Sequence, residues 1–226
     1  MDGKKIRNVL EGKGCKYLYH VNTVRTSLTF LEHGGLLSRG NVEANNLIQT
    51  PQNSDEIDKR FGLWNDIFFD SVDIHNRKKD MNFYGPVMFV LNLKILEDYQ
   101  NNISVTKSNP IHWNIDLKYD DMYYYNEIDF ESGYKLGDFR TMFIVKNSDI
   151  INFEKYLVKI IVDISGLIYR GFDISNSSMN ELVSTASRYC PGIKNLFEYR
   201  NCGDCCNCKV SYAKMYKKKI FQFFNV

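Results

Sequence analysis

Proline is scarce, at 4 of 226 residues, and no stretch approaches the roughly 18 consecutive apolar residues that a membrane-spanning helix needs. The opening MDGKKIRNVLEGKG is charged and has no apolar core of the kind a secretory leader carries. The expectation is a cytoplasmic protein without a membrane partner. An excess of one charge is lacking too. Lys plus Arg number 29 and Asp plus Glu 27, a formal net charge of +2, which excludes a wholesale polycation but leaves room for a local basic patch. Internal repeats and low-complexity segments are absent. Hydrophobic residues make up 44 % and charged residues 25 %, so the composition of a disordered chain is excluded. The length suits one domain, with or without a small appendage, and can bury a core unaided by staples. What is abundant is aromatic: 15 Tyr, 15 Phe and 2 Trp.

Along the chain, KYLYHV at 16–21 reads as a strand. Asn22 or Thr23 can cap a helix whose Val24, Leu28 and Leu31 share one face, and Gly34-Gly35 stops it. Residues 40–60 are polar and aperiodic, a loop with room for one helical turn. Two apolar runs follow, Ile67–Phe69 and Val87–Leu91, separated by a polar hinge with His75, Arg77, Lys78 and Lys79. Residues 98–138 are polar and hold Tyr123, Tyr124 and Tyr125. A loop so long is functional or conceals short strands. Residues 139–147 and 153–163 read as strands and 178–189 as a helix. The fold class expected is strand-rich α+β, with residues 1–189 forming the domain and 190–226 a cysteine-rich, basic-aromatic C-terminal appendage.

Four of the six cysteines fall in one seven-residue window. Cys202, Cys205 and Cys208 are spaced C-x-x-C-x-x-C, which turns successive thiolates onto one ion, and soft thiolates suit zinc. Cys190 is the expected fourth ligand because Pro191-Gly192 turns the chain back; Cys206 is the alternative. Free thiols and an iron–sulfur cluster are the competing readings. In the tail, Lys209, Lys214, Lys217, Lys218 and Lys219 alternate with Tyr212, Tyr216, Phe221, Phe223 and Phe224. That pattern suits nucleic acid, or an amphipathic segment docked by its aromatic face.

LYHVNTVRTSLTFLEHGGLLSRG, residues 18–40, resembles the first motif of ADP-ribosyltransferases, above all the DarT type of toxin and phage-defence enzymes. DIFFDSVDIHNRKKDMNFYGPVMFV resembles their aromatic strand leading to an Arg and then to a Tyr-containing strand. FRTMFIVKNSDIINFEKYLVKIIVD resembles their late strand pair, so the likeness spans residues 16–163. The resemblance implies a split mixed β-sheet core with short helices. It implies NAD as co-substrate, held by His20, Asn22, Gly35, Leu36 and Tyr84, and a nucleic acid acceptor, DNA or RNA. An antitoxin protein is a further partner it suggests. Arg77 and Arg140 are the expected cations of the site, with His20 and Arg77 in one pocket. Where the family carries its catalytic Glu, this chain reads Arg140, Thr141 and Met142. Glu131, in the loop before that strand, is the expected substitute, ahead of Glu181. A protein acceptor, or a non-catalytic nucleotide-binding module on the same fold, are the alternative functions.

Overall fold

The Asp2 side chain accepts the backbone N–H groups of Lys4 and Lys5 and so starts α1 (Gly3–Gly12), whose Ile6 and Leu10 are buried. Strand β1 (Tyr17–Asn22) follows. Thr23 then caps α2 (Val24–Glu32) by accepting the Thr26 N–H, and the helix ends at His33 and Gly34, the latter at φ +70°. This unit falls where the residue pattern places it. β2 (Gly35–Leu37) is wholly buried. The polar stretch after it holds α3 (Arg39–Ala44), capped by Ser38, and α4 (Asp55–Arg60). β3 (Ile67–Phe69) leads through α5 (Ile74–Lys78) to β4 (Val87–Asn92), α6 (Lys94–Asp98) and β5 (Ile103–Val105).

The 98–138 segment contains, besides β5, the short helices α7 (Tyr119–Met122) and α8 (Glu127–Gly133). β6 (Phe143–Val145) is shorter than the strand expected over 139–147. After β7 (Ile150–Asn152), the Asn152 side chain accepts the Lys155 N–H and starts α9 (Phe153–Tyr156). The expected strand over 153–163 therefore begins only at β8 (Leu157–Ile164). A small hairpin, β9 (Ile168–Tyr169) and β10 (Phe172–Asp173), precedes α10 (Ile174–Tyr189), capped by Asp173. β11 (Phe197–Asn201), α11 (Cys208–Ala213) and α12 (Lys217–Phe224) complete the elements. This computed structural model describes residues 1–138, 140–202, 205–215 and 217–225; Phe139 and Tyr216 lie outside the described residues.

The main sheet runs β1-β4-β8-β11, antiparallel across its first three strands and parallel between β8 and β11. A second sheet, β3-β6-β5, is antiparallel. The two meet at a backbone bridge: Tyr19 N–H donates to Asp70 O at 2.8 Å and Asp70 N–H to Tyr19 O at 2.9 Å. The architecture is thus α+β with mixed sheets and short helices. β6 alternates faces, Phe143 and Val145 joining the main core and Ile144 a smaller cluster with Leu63, Trp113, Met122 and Tyr123.

The described residues of 190–226 pack against this body. β11 extends the main sheet, and Cys202, Cys208, Tyr212, Phe223 and Phe224 share one core with Leu18 and Phe89. α12 packs its aromatic face on α2, so the docked-helix reading of the tail holds for Ile220, Phe223 and Phe224. Among the described residues no helix is long and apolar enough to cross a membrane.

Gly85 sits at the entrance to β4 with φ +146°, and a Cβ there would fall on the backbone of Asn22 and Thr23. Gly85→Ala is expected to destabilise by about 2 kcal/mol, from strain and overpacking together. Urea unfolding at constant m-value checks it, and an unchanged midpoint would show that the junction yields freely.

Candidate functional site

β1 pairs with β4 along one edge and bridges Asp70 along the other, which brings Tyr19, His20, Val21 and Asn22 to the seam between the two sheets. A cleft opens there, lined by His20, Asn22, Arg39, Asp58, Asp66, Asp70 and Tyr84, with Phe30, Phe68 and Met142 among its apolar walls. An apolar wall carrying a few polar groups is the usual make-up of a small-molecule site.

His20 Nδ1 lies 2.9 Å from the Phe68 carbonyl, which can only accept, so Nδ1 carries the proton. Nε2 is then the acceptor, 3.5 Å from the Asn22 amide nitrogen. The Asn22 carbonyl oxygen accepts from the Thr23 N–H at 3.0 Å and from Gln52 at 3.4 Å. The polar chain thus orients one neutral tautomer. Burial against Phe30, Phe69 and Phe89 pushes the imidazole down to about 4, so it stays neutral at physiological pH.

Arg39 starts α3. Its Nη2 donates to Asp55 at 2.8 Å and to the Thr50 carbonyl at 3.1 Å, while its buried Nε has no partner. Thr50 also ties this wall to α12, because its hydroxyl donates to the Gln222 carbonyl at 3.2 Å. Three carboxyls line the cleft. Burial raises Asp58 to about 6 and Asp70 to about 8, and raises Asp66, which accepts the Asn147 N–H at 2.9 Å. Asp70 Oδ1 and Gln49 Oε1 are buried without a hydrogen-bond partner. Unpaired buried polar atoms are rare and mark ligand sites when they gather in one concavity.

Of the residues expected at the site, His20, Asn22 and Tyr84 line the cleft. Burial raises the Tyr84 phenol to about 12. Gly35 and Leu36 do not line it; they sit in β2, paired with β7, while the neighbouring Leu37 reaches the wall. Arg77 is also outside, its guanidinium beside Gly137 and Asp138, so His20 and Arg77 do not share a pocket. Arg140 is not buried in a strand. It is exposed, precedes β6, and pairs with Asp138 through Nε at 3.0 Å and Nη2 at 2.8 Å. Glu131 is exposed on α8, its carbonyl accepting from Lys13. Glu181 is exposed on α10, accepting from Asn225. Arg39 and the three Asp residues were not anticipated. Arg39 belongs to the same SRG turn that closes the first motif, which was the available signal; the Asp residues had none.

A second cluster lies on the main sheet. His75 on α5, Cys202 after β11, Cys206, and Cys208 at the start of α11 bring one ligand atom each within 4.8 Å of one another. His75 Nε2 is 3.1 Å from Cys208 Sγ and 3.4 Å from Cys202 Sγ. The edges of a tetrahedral site with such ligands measure about 3.5–3.8 Å. The two His75–thiol distances are a little shorter than these edges, and the four ligand atoms gather closely enough that this His/Cys cluster can hold a metal ion. Two of the four expected ligands are elsewhere. Cys190 donates its thiol to the Leu31 carbonyl at 3.3 Å, and the exposed Cys205 donates to the Asn201 carbonyl at 2.9 Å. Cys206 and His75 take their places.

The two arms are also joined by protein contacts. Asn207 N–H donates to the Lys79 carbonyl at 2.8 Å, and the Ser211 hydroxyl to Asp80 at 2.7 Å. Arg200 bridges Asp73, the cap of α5, at 2.8 Å and Asp163 of β8 at 3.3 Å. No protein-family model matches this chain, and no curated protein sequence matches it.

Proposed function

We propose that the chain is an ADP-ribosyltransferase that draws ADP-ribose from NAD, with the nicotinamide and its ribose seated against His20, and that the His75, Cys202, Cys206 and Cys208 cluster holds zinc. One observation carries the first part: His20 and Asn22 from the first segment of the family resemblance and Tyr84 from the second line a single cleft with unpartnered buried polar atoms. The neutral imidazole offers Nε2 as an acceptor for a ribose hydroxyl. Arg39, with Nε unpartnered, is the cation of this wall and suits a phosphate oxygen better than Arg77 does. Three thiols and one imidazole form a closed donor set that favours zinc in a structural role.

The acceptor proposed is a nucleic acid. Lys209, Lys214, Lys217 and Lys218 are exposed while the aromatic face of α12 is buried, so the tail offers charge rather than stacking rings. A protein acceptor is the second reading, and labelled NAD distinguishes the two.

The test is incubation with labelled NAD and separate pools of DNA, RNA and protein. Label is expected in a nucleic acid pool. His20→Ala, with circular dichroism as a folding control, is expected to lower transfer at least tenfold, equivalent to about 1.4 kcal/mol. Wild-type transfer in that variant would reduce His20 to a packing residue; absence of transfer to every pool would remove the enzymatic reading.

A further inference from the structure

Asp70 is the acid of this cleft that sits at the bridge between the two sheets. Its backbone exchanges two hydrogen bonds with Tyr19, the residue before His20, so its Cα is fixed at the seam of the two sheets. The residue is 9 % exposed, lines the same cleft as His20, and Oδ1 has no hydrogen-bond partner. Asp66 differs, because a backbone N–H already satisfies it. Asp58 is held by the Ser54 hydroxyl.

Among the described residues no cation or hydrogen-bond donor compensates Asp70 Oδ1. Arg39, also on the cleft wall, pairs through Nη2 with Asp55 and makes no contribution at Asp70. Burial alone accounts for the raised affinity of Asp70 for a proton, to about 8, with neither a cation nor a donor opposing it. A buried carboxyl without a partner costs stability, and groups kept at such a cost cluster at sites where a ligand brings the missing charge.

We propose that Asp70 is the catalytic carboxylate, that it pairs with a cationic pyridinium ring bound beside His20, and that the cleft therefore selects oxidised over reduced nicotinamide nucleotides. The inference rests on the NAD reading and adds its acid and its charge selectivity. A ring with a full positive charge pulls Asp70 into its ionised form. The bond between ribose C1′ and the ring nitrogen then breaks, its electron pair goes to the ring, and nicotinamide leaves neutral. The positive charge passes to ribose C1′ and its ring oxygen, where the carboxylate opposes it without forming a bond. The acceptor's lone pair closes on C1′ and its proton leaves to solvent. The ring of the reduced dinucleotide carries no charge, so it gives Asp70 nothing to pair with.

The experiment uses the full chain and Asp70→Asn, which keeps shape and removes the charge. Binding of oxidised and of reduced nicotinamide adenine dinucleotide is measured by calorimetry, and transfer or nicotinamide release by labelled substrate. Wild-type protein is expected to bind the oxidised form at least tenfold tighter than the reduced form. In Asp70→Asn that ratio falls towards one, binding of the reduced form is kept, and turnover drops about a hundredfold or more. The variant is also expected to melt higher than wild type, because an uncompensated buried acid has gone.

An unchanged ratio and unchanged turnover in Asp70→Asn overturns the proposal. So does loss of turnover in Glu131→Gln beside a fully active Asp70→Asn, which hands the role to Glu131. Wild-type protein that binds neither dinucleotide and releases no nicotinamide overturns the NAD reading itself, and this proposal with it.

Discussion

Purified protein is expected to carry one equivalent of zinc, and removing it with a strong chelator is expected to cost about 5 kcal/mol or more of stability. The reason lies in what the ion would join. His75 and Cys202 are 127 positions apart, and Cys202 and Cys208 are fully buried. Binding energy at such a site becomes folding energy, because the unfolded chain has no preformed cluster. His75→Ala should have the same effect, lowering the thermal midpoint by on the order of 10–20 °C for a chain of this size. Cys205→Ser should retain the metal, since that thiol is exposed and turned to the Asn201 carbonyl. Elemental analysis with melting curves decides the matter. Absence of any thiophilic metal, or full metal content in His75→Ala, would sink the assignment.

Arg200→Met is the second large effect, with an expected loss of about 3–5 kcal/mol. The guanidinium grips Asp73 with two nitrogens, at 2.8 and 3.2 Å, and reaches Asp163 with Nε at 3.3 Å. The three side chains are only 13 %, 10 % and 6 % exposed. Truncation strands two buried carboxyls. Burial already pushes Asp163 up to about 7 against the pull of Arg200, so its solvation in the folded state is poor. Adding Asp163→Asn to Arg200→Met should recover part of the loss. Chemical denaturation measures both, and a double variant no better than the single would show that the missing packing, not the stranded charge, is responsible.

The parts of the fold that were legible are those fixed by neighbours in sequence. β1, the Thr23 cap, α2 and the Gly34 stop form one local run of alternation, capping and a left-handed glycine. Ile67–Phe69 and the β4 core stood out as apolar islands. The helices α7 and α8, of 4 and 7 residues, are too short to show a sustained period, so the polar stretch hid them. The tail's role was illegible for another reason. Phe197–Asn201 is exposed on most of its residues, and only its parallel pairing with Phe197 opposite Ile160 makes it a sheet strand.

At the sites, distance in sequence was the obstacle. Cysteine spacing pointed to a metal centre but not to its membership, since His75 comes from another strand connection and Cys190 is claimed by the Leu31 carbonyl. The resemblance pointed to His20, Asn22 and Tyr84, whereas an Arg in a hinge carries no mark of which way it faces. Arg77 turns to Gly137, and Arg39 lines the cleft instead.

The hydrogen bond from Thr50 to the Gln222 carbonyl spans 172 positions and has a consequence for timing. A ribosome adding 5–20 residues per second needs about 10–30 s to travel from one to the other. Throughout that interval Thr50, whose own carbonyl receives Arg39, lacks its contact with α12, and the aromatic face that covers α2 has not been made. The nascent chain therefore carries the earlier-made wall of its cleft unbraced, and α12 completes it. Whatever the cleft binds, the growing chain meets it with that wall incomplete until synthesis has passed Gln222.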